Sequence, residues 1–139
     1  MPYKFDCYCA TLRQAARAIS QKYDAALRGT DLTITQFTLL RIIAEMRRPR
    51  VNDMAEMLAM DQTSLSRTLR VMERDGLITA VAGDDKRESR WILGTRGQQR
   101  LKRATPAWRT AQKSVEKLLG ADAQRVSSAA YELSTRLSI

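Results

Sequence analysis

The chain has 139 residues, 44% of them hydrophobic and 28% charged, with 24 basic against 15 acidic side chains and no histidine. That length suits one domain with a sizeable core, and no apolar run approaches the ~20 residues that cross a bilayer. The missing histidine excludes Ser/His/Asp and Cys/His catalysis and the common histidine zinc sites. With no glycine-rich phosphate loop and no carboxylate dyad, neither an enzyme nor a cofactor is expected.

The N-terminal stretch lacks the apolar core of a secretion signal, which makes the cytoplasm the expected compartment. Cys7 and Cys9 are the only cysteines. Two thiolates are too few for a closed zinc site, and a sparse intracellular pair reads as free thiols. From Tyr8 to Leu27, the residues Leu12, Ala16, Ile19, Tyr23 and Leu27 recur at steps of three or four, predicting one helical face. Gly29 ends that helix. Thr33 or Thr35 caps the next one. Its body, Gln36 to Met46, is apolar on most of its circumference and belongs in the centre of the fold. Pro49 then breaks the chain.

Two short helices follow. Val51, Met54, Ala55 and Leu58 mark the first, with Asn52 or Asp53 near its start. Asp61 caps the second, whose inward positions are Leu65, Leu69 and Met72, and Gly76 stops it. Joined by the short turn Ala59–Asp61, they make a helix-turn-helix pattern. Ile78–Val81 and Arg90–Leu93 are extended runs around a polar, glycine-containing stretch, which predicts a β-hairpin with a long tip, placed as a wing.

Beyond the hairpin, Leu101, Ala104, Trp108, Ala111, Val115 and Leu118 form a heptad seam, and Pro106 predicts a kink in it. Gly120 separates a last helix with Val126, Ala130, Leu133 and Leu137 on one face. The expected fold is mainly α with a small β-hairpin wing. A single domain, 1–139, holds a winged helix-turn-helix DNA lobe at 32–97 and a helical dimerisation lobe built from 1–30 and 98–139. For the seam, an intramolecular bundle in a monomer is the alternative.

The net charge of +9 favours polyanions through counterion release. Residues 62–103 hold ten Lys/Arg against five acids. The outer face of the second short helix shows Gln62, Thr63, Ser66, Arg67, Arg70 and Arg74, with Ser64 beside them in the first turn. Short hydroxyls permit close approach to phosphates and base edges, and arginine can contact guanine bidentately in the major groove. Thr35 joins them as a candidate DNA contact. Lys86, Arg87 and Arg90 lie at or near the hairpin tip, where a basic tip can enter the minor groove. Asp85 is placed to orient an arginine, either Arg87 or one from the preceding helix. Each feature alone also fits a solvated basic face; the support helix before and the hairpin after favour double-stranded DNA as partner.

Five segments in order, Leu32–Leu40, Met54–Leu58, Ser64–Leu69, Met72–Ile78 and Asp85–Arg87, resemble the MarR family of bacterial regulators over nearly the whole chain. The resemblance implies an obligate homodimer, a pseudo-palindromic operator, and usually repression relieved by a small ligand or an oxidant. By the motif match, Arg87 is the minor-groove arginine of the wing and Asp85 its supporting acid. The chain departs from the family pattern at Ala80 and Val81, where a basic residue is usual. It departs again at Leu93-Gly94, where Leu-Thr is usual and Thr95 is expected to take over the helix cap.

What the regulator senses has two expectations. The resemblance places effector pockets between the two lobes; Leu12, Phe37, Arg41, Met46 and Trp108 are the candidates for a small aromatic or phenolic effector, the arginine suiting a carboxylate. Alternatively, Cys9-Ala-Thr-Leu12 with Tyr23 is similar to the first helix of the peroxide-sensing branch of the family. Cys9 or Cys7 is then a redox thiol, with Arg13 one turn from Cys9; the branch's second tyrosine falls at Arg13 and is absent. A sequence-neutral nucleoid-type DNA-binding protein shares the charge and the seam.

Overall fold

The computed structural model describes residues 1–85 and 87–138. Among the described residues, six α-helices and one hairpin follow in the order α1 (Tyr8–Ala26), α2 (Ile34–Glu45), α3 (Val51–Leu58), α4 (Gln62–Arg74), β1 (Ile78–Ala82), β2 (Ser89–Leu93), α5 (Thr95–Leu119) and α6 (Ala123–Leu137). A 3-10 turn at Gly120–Asp122 joins the last two helices. Among the described residues, no helix is long and apolar enough to cross a membrane.

Local chemistry sets the boundaries. Gly29 takes a positive φ of 85° just past α1, a conformation glycine adopts without steric cost. Thr33, not Thr35, caps α2: its hydroxyl accepts from the Gln36 N–H while the Gln36 side chain accepts from the Thr33 N–H, a reciprocal capping box. Asp61 caps α4 through the N–H groups of Thr63 and Ser64 at 3.1 and 3.0 Å. The start of α3 is held by Asp53, whose carboxylate accepts the Arg50 N–H at 3.0 Å.

Three expectations need correction. Thr95 does not cap α5; Gly94 occupies the cap with no side-chain bond, and the helix begins at Thr95 itself. Pro106 does not interrupt the seam, since α5 runs unbroken from Thr95 to Leu119. Pro106 and Lys102 are both exposed, so the carbonyl that loses its amide partner lies on the water side. The hairpin strands are each one residue longer than expected, with Ala82 pairing Ser89 beyond Val81 and Arg90.

The core sits around α2. Phe37, Leu39, Leu40 and Ile43 are buried together with Leu27 and Leu32 from the α1–α2 connection, Met54 of α3, Leu65, Leu69 and Met72 of α4, Leu77, Ile78 and Trp91 of the hairpin, and Ala104 of α5. Helix α4 is thereby seated by its apolar face, leaving its polar face outward. In contrast, α1 and α6 contain no buried residue. Tyr8, Tyr131, Leu118 and Leu137 are 91%, 76%, 70% and 74% exposed.

Candidate nucleic-acid interface

The outward face of α4 is built from residues spaced three and four apart. Thr63, Arg67, Arg70 and Arg74 make one stripe, and all four are exposed, as are Gln62 and Ser64; Ser66 is half-buried beside them. The Asp61 carboxylate sits at the helix start and also accepts the Ser64 hydroxyl. These hydrogen bonds, from the Ser64 side chain first, hold Asp61 below the usual carboxylate range. Gln62 is tied back to α3 by a hydrogen bond from its amide to Asn52. Ala59 turns the chain between α3 and α4 in the left-handed region, φ 50°.

Arg67, Arg70 and Arg87 have no carboxylate within ion-pair distance among the described residues, whereas Arg74 lies 3.6 Å from Asp75. Exposed arginines gathered along α4 focus positive potential there. Thr35 is exposed at the second position of α2. Lys86 lies outside the described residues.

The wing is fastened to the body at its base. The Trp91 N–H donates to the Pro49 carbonyl at 3.1 Å, and the Gly94 N–H to the Leu77 carbonyl at 2.9 Å. Asp85 engages Arg87 through the backbone, its carboxylate accepting the Arg87 N–H at 3.1 Å. Arg87 is exposed. Arg90 is bound within the chain: one end of its guanidinium donates to the Arg48 carbonyl at 3.1 Å and the other to Glu88 at 3.2 Å.

Arg48, Arg50 and Glu88 were not singled out by sequence reasoning, and Asp53 only as a residue near the start of α3. Arg50 binds Asp53 twice, at 2.9 and 3.0 Å, and Glu88 at 3.1 Å. The Arg50 hydrogen bonds hold Asp53 down to about 2. An Arg-to-Asp spacing of three on a helix start is legible in the sequence; a partner 38 positions away is not.

Of the effector candidates, the structure joins three. Phe37 stacks on Trp108 with centroids 5.6 Å apart, and the Arg41 guanidinium lies 4.5 Å above the Trp108 ring. They line a crevice of about 190 Å³ with Thr38, Ile42 and Glu45. Leu12 is exposed on α1 and Met46 is the C-cap of α2; neither lines it. Glu45 already pairs with Arg41 at 3.3 Å. A larger crevice of about 470 Å³ runs between α1 and α2 near Asp24, Arg28 and Gln36.

Cys7 is the N-cap of α1, its sulfur accepting the Ala10 N–H at 3.4 Å, and both cysteines are exposed. Tyr23 instead points to α5, donating to Gln112; partial burial, then the negative charge of Glu116, raise its pKa.

The MarR family model matches residues 32–89, from the start of α2 to the start of β2. A crystal structure of the M. tuberculosis transcriptional regulator MosR in complex with DNA superposes with a TM-score of 0.86 at 38% identity, covering 94% of this chain and 96% of that one. The chain belongs to the MarR family. A second crystal structure of MosR gives a TM-score of 0.82 at 36% identity over 94% of this chain and 95% of that one. Among curated relatives, an organic hydroperoxide resistance transcriptional regulator of Bacillus subtilis is 27% identical over 125 residues, 90% of this chain and 85% of that protein. This MarR-family chain is a winged-helix transcription regulator, with β1–β2 as the hairpin of the winged helix.

Proposed function

We propose that two copies of this chain pair through α1, α5 and α6 and bind a pseudo-palindromic operator as a repressor. In this reading α4 enters the major groove, with Thr63, Ser64, Ser66, Arg67 and Arg70 facing base edges and phosphates. Gln62, Thr35 and Arg74 flank it, and Arg87 enters the minor groove. Lys86 adds charge at the same tip by its place in the sequence. The observation that carries the reading is the uncompensated arginine set, Arg67 and Arg70 on α4 and Arg87 on the wing. It supports DNA recognition because these guanidinium groups are exposed without internal carboxylate partners among the described residues. A fixed-salt titration of a selected duplex against a scrambled one tests it. Selective binding is expected, with half-site centres about 34–36 Å apart. Equal affinity for both duplexes defeats the repressor reading and favours a sequence-neutral binder.

The crevice at Phe37, Arg41 and Trp108 supports release by a small aromatic effector. Its volume of about 190 Å³ exceeds that of a cavity that takes up one benzene ring, about 150 Å³, and it lies between α2 and α5. Binding there has a direct route to the α2–α5 packing angle.

A second reading is favoured by Cys7. Its sulfur faces the first turn of α1, where unpaired N–H groups attract negative charge, and the B. subtilis relative is named for hydroperoxide resistance. Peroxide treatment of Cys7→Ser and Cys9→Ser proteins separates the two readings. Oxidant-driven release of DNA that is lost in either variant supports the thiol; unchanged release in both leaves the crevice as the effector site.

A further inference from the structure

Glu88 is the residue at which the wing tip, strand β2 and the start of α3 meet. Its N–H donates to the Asp85 carbonyl and its own carbonyl accepts the Gly83 N–H, both at 2.9 Å, so its backbone closes the tip from both sides. One carboxylate oxygen accepts from Arg50, the N-cap residue of α3, at 3.1 Å, and the other from Arg90 of β2 at 3.2 Å. Arg90 continues to the Arg48 carbonyl in the α2–α3 connection. Charge-assisted bonds of this kind are stronger than neutral ones.

Gly83 carries an independent sign of the same arrangement. A Cβ built there falls 2.8 Å from a Glu88 carboxylate oxygen and 3.2 Å from its carbonyl oxygen. Gly83 therefore lies close against Glu88, and a side chain there requires the carboxylate to move. The wing is also held at its base, where the Trp91 N–H bonds Pro49, the Gly94 N–H bonds Leu77, and Ile78 and Trp91 are buried in the core.

The geometry points to Glu88 as a positioning residue for operator recognition: it braces the wing against α3 so that Arg87 is presented at a fixed distance from the recognition helix. Glu88 itself touches no DNA in this arrangement. Through it, the wing-tip arginine and α4 are held in one register, which couples minor-groove contact to major-groove reading.

The inference rests on the DNA-binding reading above, and its sign separates it from a plain charge effect. Removing an acid beside a DNA-binding surface strengthens binding to every duplex if charge alone acts. Loss of a brace weakens binding to the correct duplex only. The probes are a duplex that the native protein enriches from a random pool and a scrambled duplex of the same composition. For Glu88→Ala, affinity for the selected duplex is expected to fall several-fold while affinity for the scrambled one holds or rises. Hydroxyl-radical protection of the outer minor-groove positions disappears and the central protection stays. Gly83→Ala, which keeps the carboxylate but displaces it, gives the same pattern. Glu88→Gln, which keeps the shape and loses the charge, falls between native and Glu88→Ala, and carries the test if Glu88→Ala does not fold. Tighter binding of the variants to both duplexes, or equal loss on both, overturns the brace. Failure of the native protein to enrich any sequence defeats the operator reading itself, and the brace with it.

Discussion

Gly97 stands where α5 lies closest to the exit of the recognition helix. A Cβ there falls 2.0 Å from the Leu77 carbonyl oxygen and 2.9 Å from its carbon. That carbonyl cannot retreat freely, because it accepts the Gly94 N–H. Gly97→Ala is therefore expected to destabilise by about 3 kcal/mol, the upper end for overpacking, as read by urea denaturation; native stability in the variant contradicts the close approach. At Asp53, hydrogen bonding to Arg50 holds the carboxyl at about 2 against an ordinary 3.8. A depressed pKa contributes stability that is present above the unfolded value and lost as pH falls through the folded one. The melting-point advantage of the native protein over Asp53→Asn is therefore full near neutrality and closes as pH falls from 3.8 towards about 2. A constant difference across that range contradicts the assignment. Single residues were the scale least legible in the sequence. Arg67 and Arg70 were readable as outward arginines from their spacing against Leu65 and Leu69. Arg90 read equally well as a DNA contact, and only the fold brings Arg48 and Glu88 to it.

Helices and hairpin were largely legible because their signals are local. Asp61 and Gly76 bracket α4 as expected, and the apolar spacing of α1 and α5 gives their faces directly. Pro106 leaves α5 unbroken, and the carbonyl it deprives of an amide partner falls on an exposed face. The pairing of α2 with α5 was half legible: Phe37, Arg41 and Trp108 meet, whereas Leu12 and Met46 point elsewhere, since helical spacing fixes a face but not its tilt. The same pairing carries a prediction. Glu45 holds Arg41 at 3.3 Å at the rim of the crevice, so an incoming carboxylate must displace it. Glu45→Gln is expected to tighten binding of a small aromatic carboxylate such as benzoate several-fold by calorimetry, and to leave an uncharged phenol nearly unaffected. Equal tightening of both ligands places the ligand away from Arg41.

At the scale of the whole molecule, the two ends of the chain pose one physical problem. They bring α1, α5 and α6 together, yet Tyr8, Leu12, Ile19, Leu118, Leu119, Val126, Tyr131 and Leu137 remain exposed in a single copy. Exposed apolar side chains gathered at the two ends of the chain suit an interaction site, and a two-fold pairing buries the same residues on both partners. It also sets two recognition helices at a fixed separation. Leu118→Glu with Val126→Glu places charges among those side chains without touching a buried residue, so the winged-helix core is expected to keep its secondary structure. Sedimentation is expected to show a dimer for the native protein and a monomer for this variant. Affinity for a two-half-site duplex should fall by about 100-fold or more as the linked second binding event is lost, while affinity for an isolated half-site stays near native. A variant that remains dimeric moves the pairing surface off α5 and α6. A variant that becomes monomeric yet binds the full duplex at native strength breaks the link between assembly and operator recognition, leaving each α4 to act alone.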